Sequence, residues 1–221
     1  MTVLDRDRTR PFLLLHGGAG PMSVRGFGDL MASRLHARVL MPTHPGFDGT
    51  PRPPGLATVA GLAALYAELL ERLDVWDVTV IGNSIGGWAA AELALLGSPR
   101  VSGAVLVNAV GIEVPGHPVS TDLSPSNVFF EPGRFPPGPP PDLAPLSAYT
   151  GMTMADPTLR ARLGELDLPV HVVWGAADGI VDVAYGEAYA AAIPGARFSV
   201  IERAGHLPQI ETPEELLGVI T

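Results

Sequence analysis

Ser84, Asp178 and His206 are side chains whose types could together run acyl transfer, and they occur along the chain in that order. A serine hydroxyl becomes a nucleophile when a base takes its proton. The base needs a group to orient it, and the developing oxyanion needs donors. Ser84 lies in Val78-Thr79-Val80-Ile81-Gly82-Asn83-Ser84-Ile85-Gly86-Gly87-Trp88, a β-branched run entering Gly-x-Ser-x-Gly. The small-residue run Ala89-Ala90-Ala91-Glu92-Leu93-Ala94 follows. Strand, tight turn with one serine, then helix is the context of a nucleophile elbow. Glycines two residues to either side let strand and helix approach, and the helix start favours negative charge beside the serine oxygen. An ordinary glycine-rich turn carries the same pentapeptide, so the partners decide.

His206 sits in Ala204-Gly205-His206-Leu207-Pro208, after the last expected strand. Its alternative is a surface loop histidine. Asp178 sits in Trp174-Gly175-Ala176-Ala177-Asp178-Gly179, after the strand before, and its alternative is a turn-forming aspartate. Asp182 and Glu113 are rival acids. The oxyanion donors are expected to be the backbone N–H groups of Ile85, at the helix start, and of Gly18, in His16-Gly17-Gly18-Ala19-Gly20-Pro21. Read instead as a phosphate-binding loop, that stretch lacks a lysine and the G-x-G-x-x-G spacing.

The elements that must position these groups are short apolar runs alternating with helical patterns. Strands are expected at 11–15, 38–41, 78–81, 101–107, 170–174 and 197–201. Helices are expected over 23–36, 58–73 with Thr58 as N-cap, 85–96, 183–193 and 213–220 with Thr212 as N-cap; a short one fits 157–166. This alternation means a mostly parallel sheet of about six strands with helices on both faces. Loops that follow parallel strands open on one edge, where every candidate above lies. Residues 111–167 break the pattern. Eleven of the 23 prolines fall there, including Pro136-Pro137-Gly138-Pro139-Pro140-Pro141, a run that favours polyproline II. The segment reads as an insertion within a single domain spanning 1–221.

Bulk composition excludes whole classes. The 221 residues are 47% apolar and 17% charged, with net charge −9 and no basic run, so nucleic acid and anionic membranes are not expected partners. All 14 basic residues are arginine, which removes lysine chemistry. Without cysteine there is no thiol nucleophile and no disulfide. No apolar run has transmembrane length, so the reading is cytoplasmic. No His or carboxylate pair has metal-ligand spacing, and neither metal nor cofactor is expected.

With His16-Gly17-Gly18, Pro45-Gly46-Phe47, Gly82-Asn83-Ser84-Ile85-Gly86-Gly87, Gly175-Ala176-Ala177-Asp178 and Gly205-His206, the chain from about residue 11 onward resembles the α/β-hydrolase fold superfamily, of the capped, esterase-like type. The resemblance implies that 111–167 is the cap, which sets substrate choice, and that Gly18 and Ile85 form the oxyanion hole. Two departures stand out. Members usually carry two strands before the His-Gly strand; here only ten residues precede Pro11, leaving at most a fragment around Val3-Leu4. Arg38-Met41 is then an edge strand, and a homodimer through that edge is an expectation. The cap is also short and proline-rich, so a full helical lid is not expected.

The expected activity is cleavage of a small-molecule carboxylic ester through an acyl-enzyme. The alternatives are a carbon–carbon bond hydrolase of the meta-cleavage-product type, or a ligand receptor on the same fold. Among further candidates, His44, beside Phe47 and Asp48, lines the pocket or is structural. Trp88 packs under the elbow or touches substrate. Met152 and Met154 line an acyl pocket or fill space.

Overall fold

In the computed structural model the described residues are 10–131, 143–151 and 153–221. Each apolar run becomes a strand: β1 (Phe12–Leu15), β2 (Val39–Leu40), β3 (Val78–Asn83), β4 (Val101–Val107), β5 (Val170–Gly175) and β6 (Arg197–Ile201). They form one sheet in the order β2-β1-β3-β4-β5-β6, and every neighbouring pair is parallel. Strands covered on both faces have no wet side, which is why they read as unbroken apolar runs.

Pleating divides each run between two layers. Leu13, Leu15, Val80, Leu106, Val172 and Trp174 pack on one face. Leu14, Ile81, Val105 and Val173 pack on the other. The first face is covered by α2 (Val59–Arg72), α3 (Ile85–Leu95) and α7 (Val183–Ala191), through Leu62, Tyr66, Leu93 and Tyr189. The second is covered by α1 (Met22–Leu35) and α9 (Pro213–Ile220), through Phe27, Met31 and Leu216. Thr58 caps α2 as expected, its Oγ1 accepting from Gly61 N at 3.0 Å; such caps contribute about 1 kcal/mol. Thr212 does not cap α9 with its side chain. Its amide closes the preceding turn, α8 (Pro208–Glu211), by donating to Pro208 O at 2.9 Å, and its hydroxyl lies over the same carbonyl.

Among its described residues the 111–167 stretch holds three short helices, α4 (Pro125–Val128), α5 (Leu143–Thr150) and α6 (Leu159–Arg162), the last followed by a 3-10 turn at Leu163–Glu165. The first two went unanticipated because proline obscured them. Pro125 begins α4 and Pro145 lies in the first turn of α5, where a missing amide costs a helix nothing. The run Pro136–Pro141, the Val3-Leu4 fragment and Met152 lie outside the described residues.

β2 lies at one edge of the sheet and is only two residues long. From β1 the chain moves outward to β2, then returns to β3 on the opposite side of β1. Strand order therefore reverses between β1 and β3, and a crevice opens at their carboxyl ends. Register aligns those ends in one row: Leu15 with Gly82, Asn83 with Val107, Val107 with Val173, and Gly175 with Ile201. Among the described residues no helix is long and apolar enough to cross a membrane.

Candidate active site

Ser84 occupies the turn between β3 and α3 with φ 58° and ψ −121°. Positive φ is unfavourable for a residue with a Cβ and stores roughly 1–3 kcal/mol. The surroundings impose it. Ser84 N donates to Val107 O at 3.0 Å, and Ser84 O accepts from Trp88 N at 3.1 Å. The flanking glycines are steric necessities: a Cβ on Gly82 would sit 2.0 Å from Gly86 O, and one on Gly86 would sit 2.4 Å from Leu15 O. The loop after β1 lies directly on the serine, since a Cβ on Gly17 would fall 3.0 Å from Ser84 Cβ.

Asp178 and His206 meet as the chain order implies. His206 Nδ1 lies 2.8 Å from Asp178 Oδ2, and both residues are buried. Asp178 Oδ1 accepts from the amides of Ile180 at 2.7 Å and Val181 at 3.1 Å. Oδ2 also accepts from Asn108 Nδ2. Four donors thus converge on one carboxylate and fix its plane. The rival acids lie elsewhere: Asp182 caps α7 through Tyr185 N at 2.9 Å and pairs with His117 at 2.6 Å, and Glu113 is exposed. Asn83, just before the serine, donates to His206 O at 2.9 Å and to Val107 O at 3.2 Å, which joins the Ser84 turn and the His206 loop. Among the described residues, the Ser84 hydroxyl is not itself hydrogen-bonded to the His206 ring. Contacts of this kind commonly tighten only when substrate binds.

His44 has a different place from the pocket wall offered as one of its readings. It is fully buried behind the glycine loop. His44 N donates to His16 Nε2 at 3.0 Å, and His44 Nε2 lies 2.7 Å from His16 O. Tyr66 of α2 bonds His44 Nδ1. These partners fix the tautomers. His16 Nε2 accepts, so Nδ1–H donates to Gly17 O, 2.8 Å away. His44 Nε2–H donates to a carbonyl, so Nδ1 accepts from the Tyr66 hydroxyl. Burial pushes His16 down to about 4, and burial plus His16 push His44 well below the usual imidazole range, so both rings are neutral. Gly17 O takes a second donor, Gly20 N, at 3.1 Å. A trans amide points its N–H opposite to its C=O. Gripping the Gly17 carbonyl therefore aims the Gly18 N–H away from these donors. Ile85 is the first residue of α3, where an amide has no partner within the helix.

Trp88 is buried one turn into α3, its Nε1 donating to Glu92 at 3.2 Å. Met154 is partly buried against the core. Leu146 of α5 lies over the glycine loop, 3.1 Å from where a Gly18 Cβ would be, and Tyr149 Oη donates to Pro45 O at 2.7 Å. Carbonyls near α4 take up two amides of the site loops: Val128 O accepts from His206 N at 2.7 Å and Asn127 O from Gly179 N at 2.9 Å. Arg162, beyond α4 and α5, grips buried Glu92 of α3 at 2.7 and 2.8 Å and Asp156 at 2.9 Å. Asn108, Gln209, whose Nε2 donates to Asn83 Oδ1 at 3.1 Å, and Glu211 carry no signal of their own in the sequence. Only their position after a strand end or beside His206 could have marked them. Among the described residues no group of three or more His, Asp or Glu side chains is placed to hold a metal ion.

A profile described as the alpha/beta hydrolase family matches residues 12–219. The chain is 26% identical to a pimeloyl-(acyl-carrier protein) methyl ester esterase of Serratia marcescens, over 96% of this chain and 92% of that protein. It is 34% identical to the 2-hydroxy-6-oxo-2,4-heptadienoate hydrolase of Pseudomonas putida, over 49% of this chain and 40% of that one. Among solved structures, a thermophilic esterase from Thermogutta terrifontis superposes with TM-score 0.78 at 24% identity, over 95% of this chain and 87% of its own, a likeness of fold.

Proposed function

The chain belongs to the alpha/beta hydrolase family, and from that premise we propose that it is a serine hydrolase cleaving carboxylic esters through an acyl-enzyme. The observation that carries the reading is the 2.8 Å His206–Asp178 contact beside a serine held at φ 58°. His206 takes the Ser84 proton through Nε2, because Asp178 holds its other nitrogen. Ser84 Oγ attacks the ester carbonyl, and the Gly18 and Ile85 amides receive the oxyanion. The tetrahedral intermediate collapses, the alcohol leaves with the proton from His206, and the acyl group stays on Ser84. Water, activated by His206, then releases the acid. The esterase relative, matched along nearly the full length of both chains, supports ester chemistry.

The 34% match to a hydrolase of a dienoate favours a second reading, cleavage of a carbon–carbon bond next to a ketone by the same three residues. The test is direct. Purified protein is assayed on p-nitrophenyl esters of graded chain length and on a vinylogous diketone, with Ser84→Ala alongside. Ester turnover lost in Ser84→Ala, with covalent fluorophosphonate labelling of Ser84, supports the proposal. Ester turnover surviving in Ser84→Ala sinks it, and turnover of the diketone alone favours the second reading.

A further inference from the structure

Glu211 is a buried carboxylate that the chemistry above leaves unused. It ends α8, five residues beyond His206. Its Oε1 accepts from Gly205 N at 2.8 Å, the amide just before His206. Its Oε2 accepts from Phe130 N at 2.7 Å, an amide of the segment that follows α4. One side chain thus spans two pieces of backbone about 75 residues apart in sequence. Its location is not incidental to the base. The neighbouring bond of the same pairing is His206 N to Val128 O at 2.7 Å. Gly205 is pressed there too, since a Cβ on it would meet Val128 O at 2.4 Å. On the surface, Arg203 and Glu131 bridge the same two segments at 3.6 Å.

We propose that Glu211 is a positioning residue for His206: by bridging the Gly205 and Phe130 amides it locks the base loop to the cap segment 127–130, so that the cap is part of the support of the catalytic base. The proposal rests on the serine-hydrolase reading. A carboxylate is the group that this geometry demands. Both partners are donors, and an amide side chain would turn its own NH2 toward one of them. Burial costs the carboxylate its water, and the Phe130, Gly205 and Leu207 amides offset that cost. The negative charge also stands near Asp178, the other acid that faces the base loop.

The test compares Glu211→Gln and Glu211→Asp with wild type. Each is read by kcat and KM on a p-nitrophenyl ester, fluorophosphonate labelling, and hydrogen exchange at the Gly205 and Phe130 amides. In Glu211→Gln one clamp bond is lost and the charge goes. The expected result is a kcat about tenfold lower with KM nearly unchanged and faster exchange at Phe130 or Gly205. Glu211→Asp keeps the charge but is one methylene too short to span both amides, so kcat falls and exchange quickens there too. Glu211→Asp alone still decides if the glutamine variant does not fold. Wild-type kcat and unchanged amide exchange in both variants, with Ser84 labelled throughout, overturn the Glu211 inference alone. A wild-type protein that neither labels nor turns over esters overturns the serine-hydrolase reading first.

Discussion

Asn108 donates its side-chain amide to Oδ2 of Asp178, the same oxygen that pairs with His206 Nδ1. Asn108 directly follows β4, at φ 47°, and its Oδ1 accepts from Gly175 N at 3.3 Å. It therefore clamps the loop that carries the acid from two sides. In the proposed mechanism Asn108 orients Asp178 as Asp178 orients His206.

Asn108→Gly tests this with little backbone penalty, since glycine accepts the left-handed conformation. The expected outcome is a roughly tenfold fall in kcat/KM and a destabilisation of about 1–3 kcal/mol, from a buried donor and a buried carboxylate that each lose a partner. Urea unfolding and ester kinetics read the two effects. Full activity in this variant would remove Asn108 from the mechanism.

The Tyr66–His44–His16 chain predicts an effect from a residue in α2, behind the glycine loop. Tyr66→Phe deletes the donor to His44 Nδ1. A buried acceptor left alone costs about 1–3 kcal/mol, equivalent to a melting temperature lower by roughly 2–10 °C. Loosening of the Gly17 carbonyl should lower kcat more than it raises KM. A melt and a kcat both equal to wild type would show that the chain positions nothing.

The same histidines set a pH dependence of stability. In the folded state His16 takes a proton only near pH 4, and His44 is also shifted well down. The unfolded chain protonates near 6.5. As pH falls from about 6.5 toward 4 the unfolded state therefore binds more protons, and stability is lost across that window; above 6.5 the contribution is complete. His16 alone accounts for roughly 3 kcal/mol by pH 4. Ring proton shifts that remain those of neutral imidazole down to pH 5 would verify the cause; titration near 6.5 would contradict it.

Arg162→Met should destabilise by roughly 2–3 kcal/mol, because it strands buried Glu92 while Arg162 itself is a third exposed. Adding Glu92→Gln should recover much of the loss, since a neutral amide still accepts from Trp88. A double-mutant cycle in urea measures the coupling, and additive losses would mean the pair is not coupled.

The strands were legible because burial on both faces leaves a continuous apolar signature, as in Phe12–Leu15 and Val101–Val107. Ser84 was legible because a strand, spaced glycines and a helix must coincide for its turn to form. Asp178 and His206 followed from strand ends. Asn108 also follows a strand end, yet one asparagine carries no spacing. His44, with Phe47 and Asp48, reads from sequence as pocket-lining or structural; what decides between them is its contact with His16, 28 positions earlier. Glu211 reads as an ordinary acidic residue two places before a proline, since its partners are backbone amides and amides leave no trace in a sequence.

Within 111–167, the Asn127–Phe130 backbone is fastened to the loops of Asp178 and His206, and Arg162 to α3. α5 is held separately, its Leu146 over the glycine loop and its Tyr149 on Pro45 O. In the proposed reading, support of the site and selection of what enters it then fall to separate stretches of chain. Evolution, or a laboratory grafting a loop from a relative, can exchange residues between the two anchors and alter what reaches the serine while its machinery keeps its scaffold.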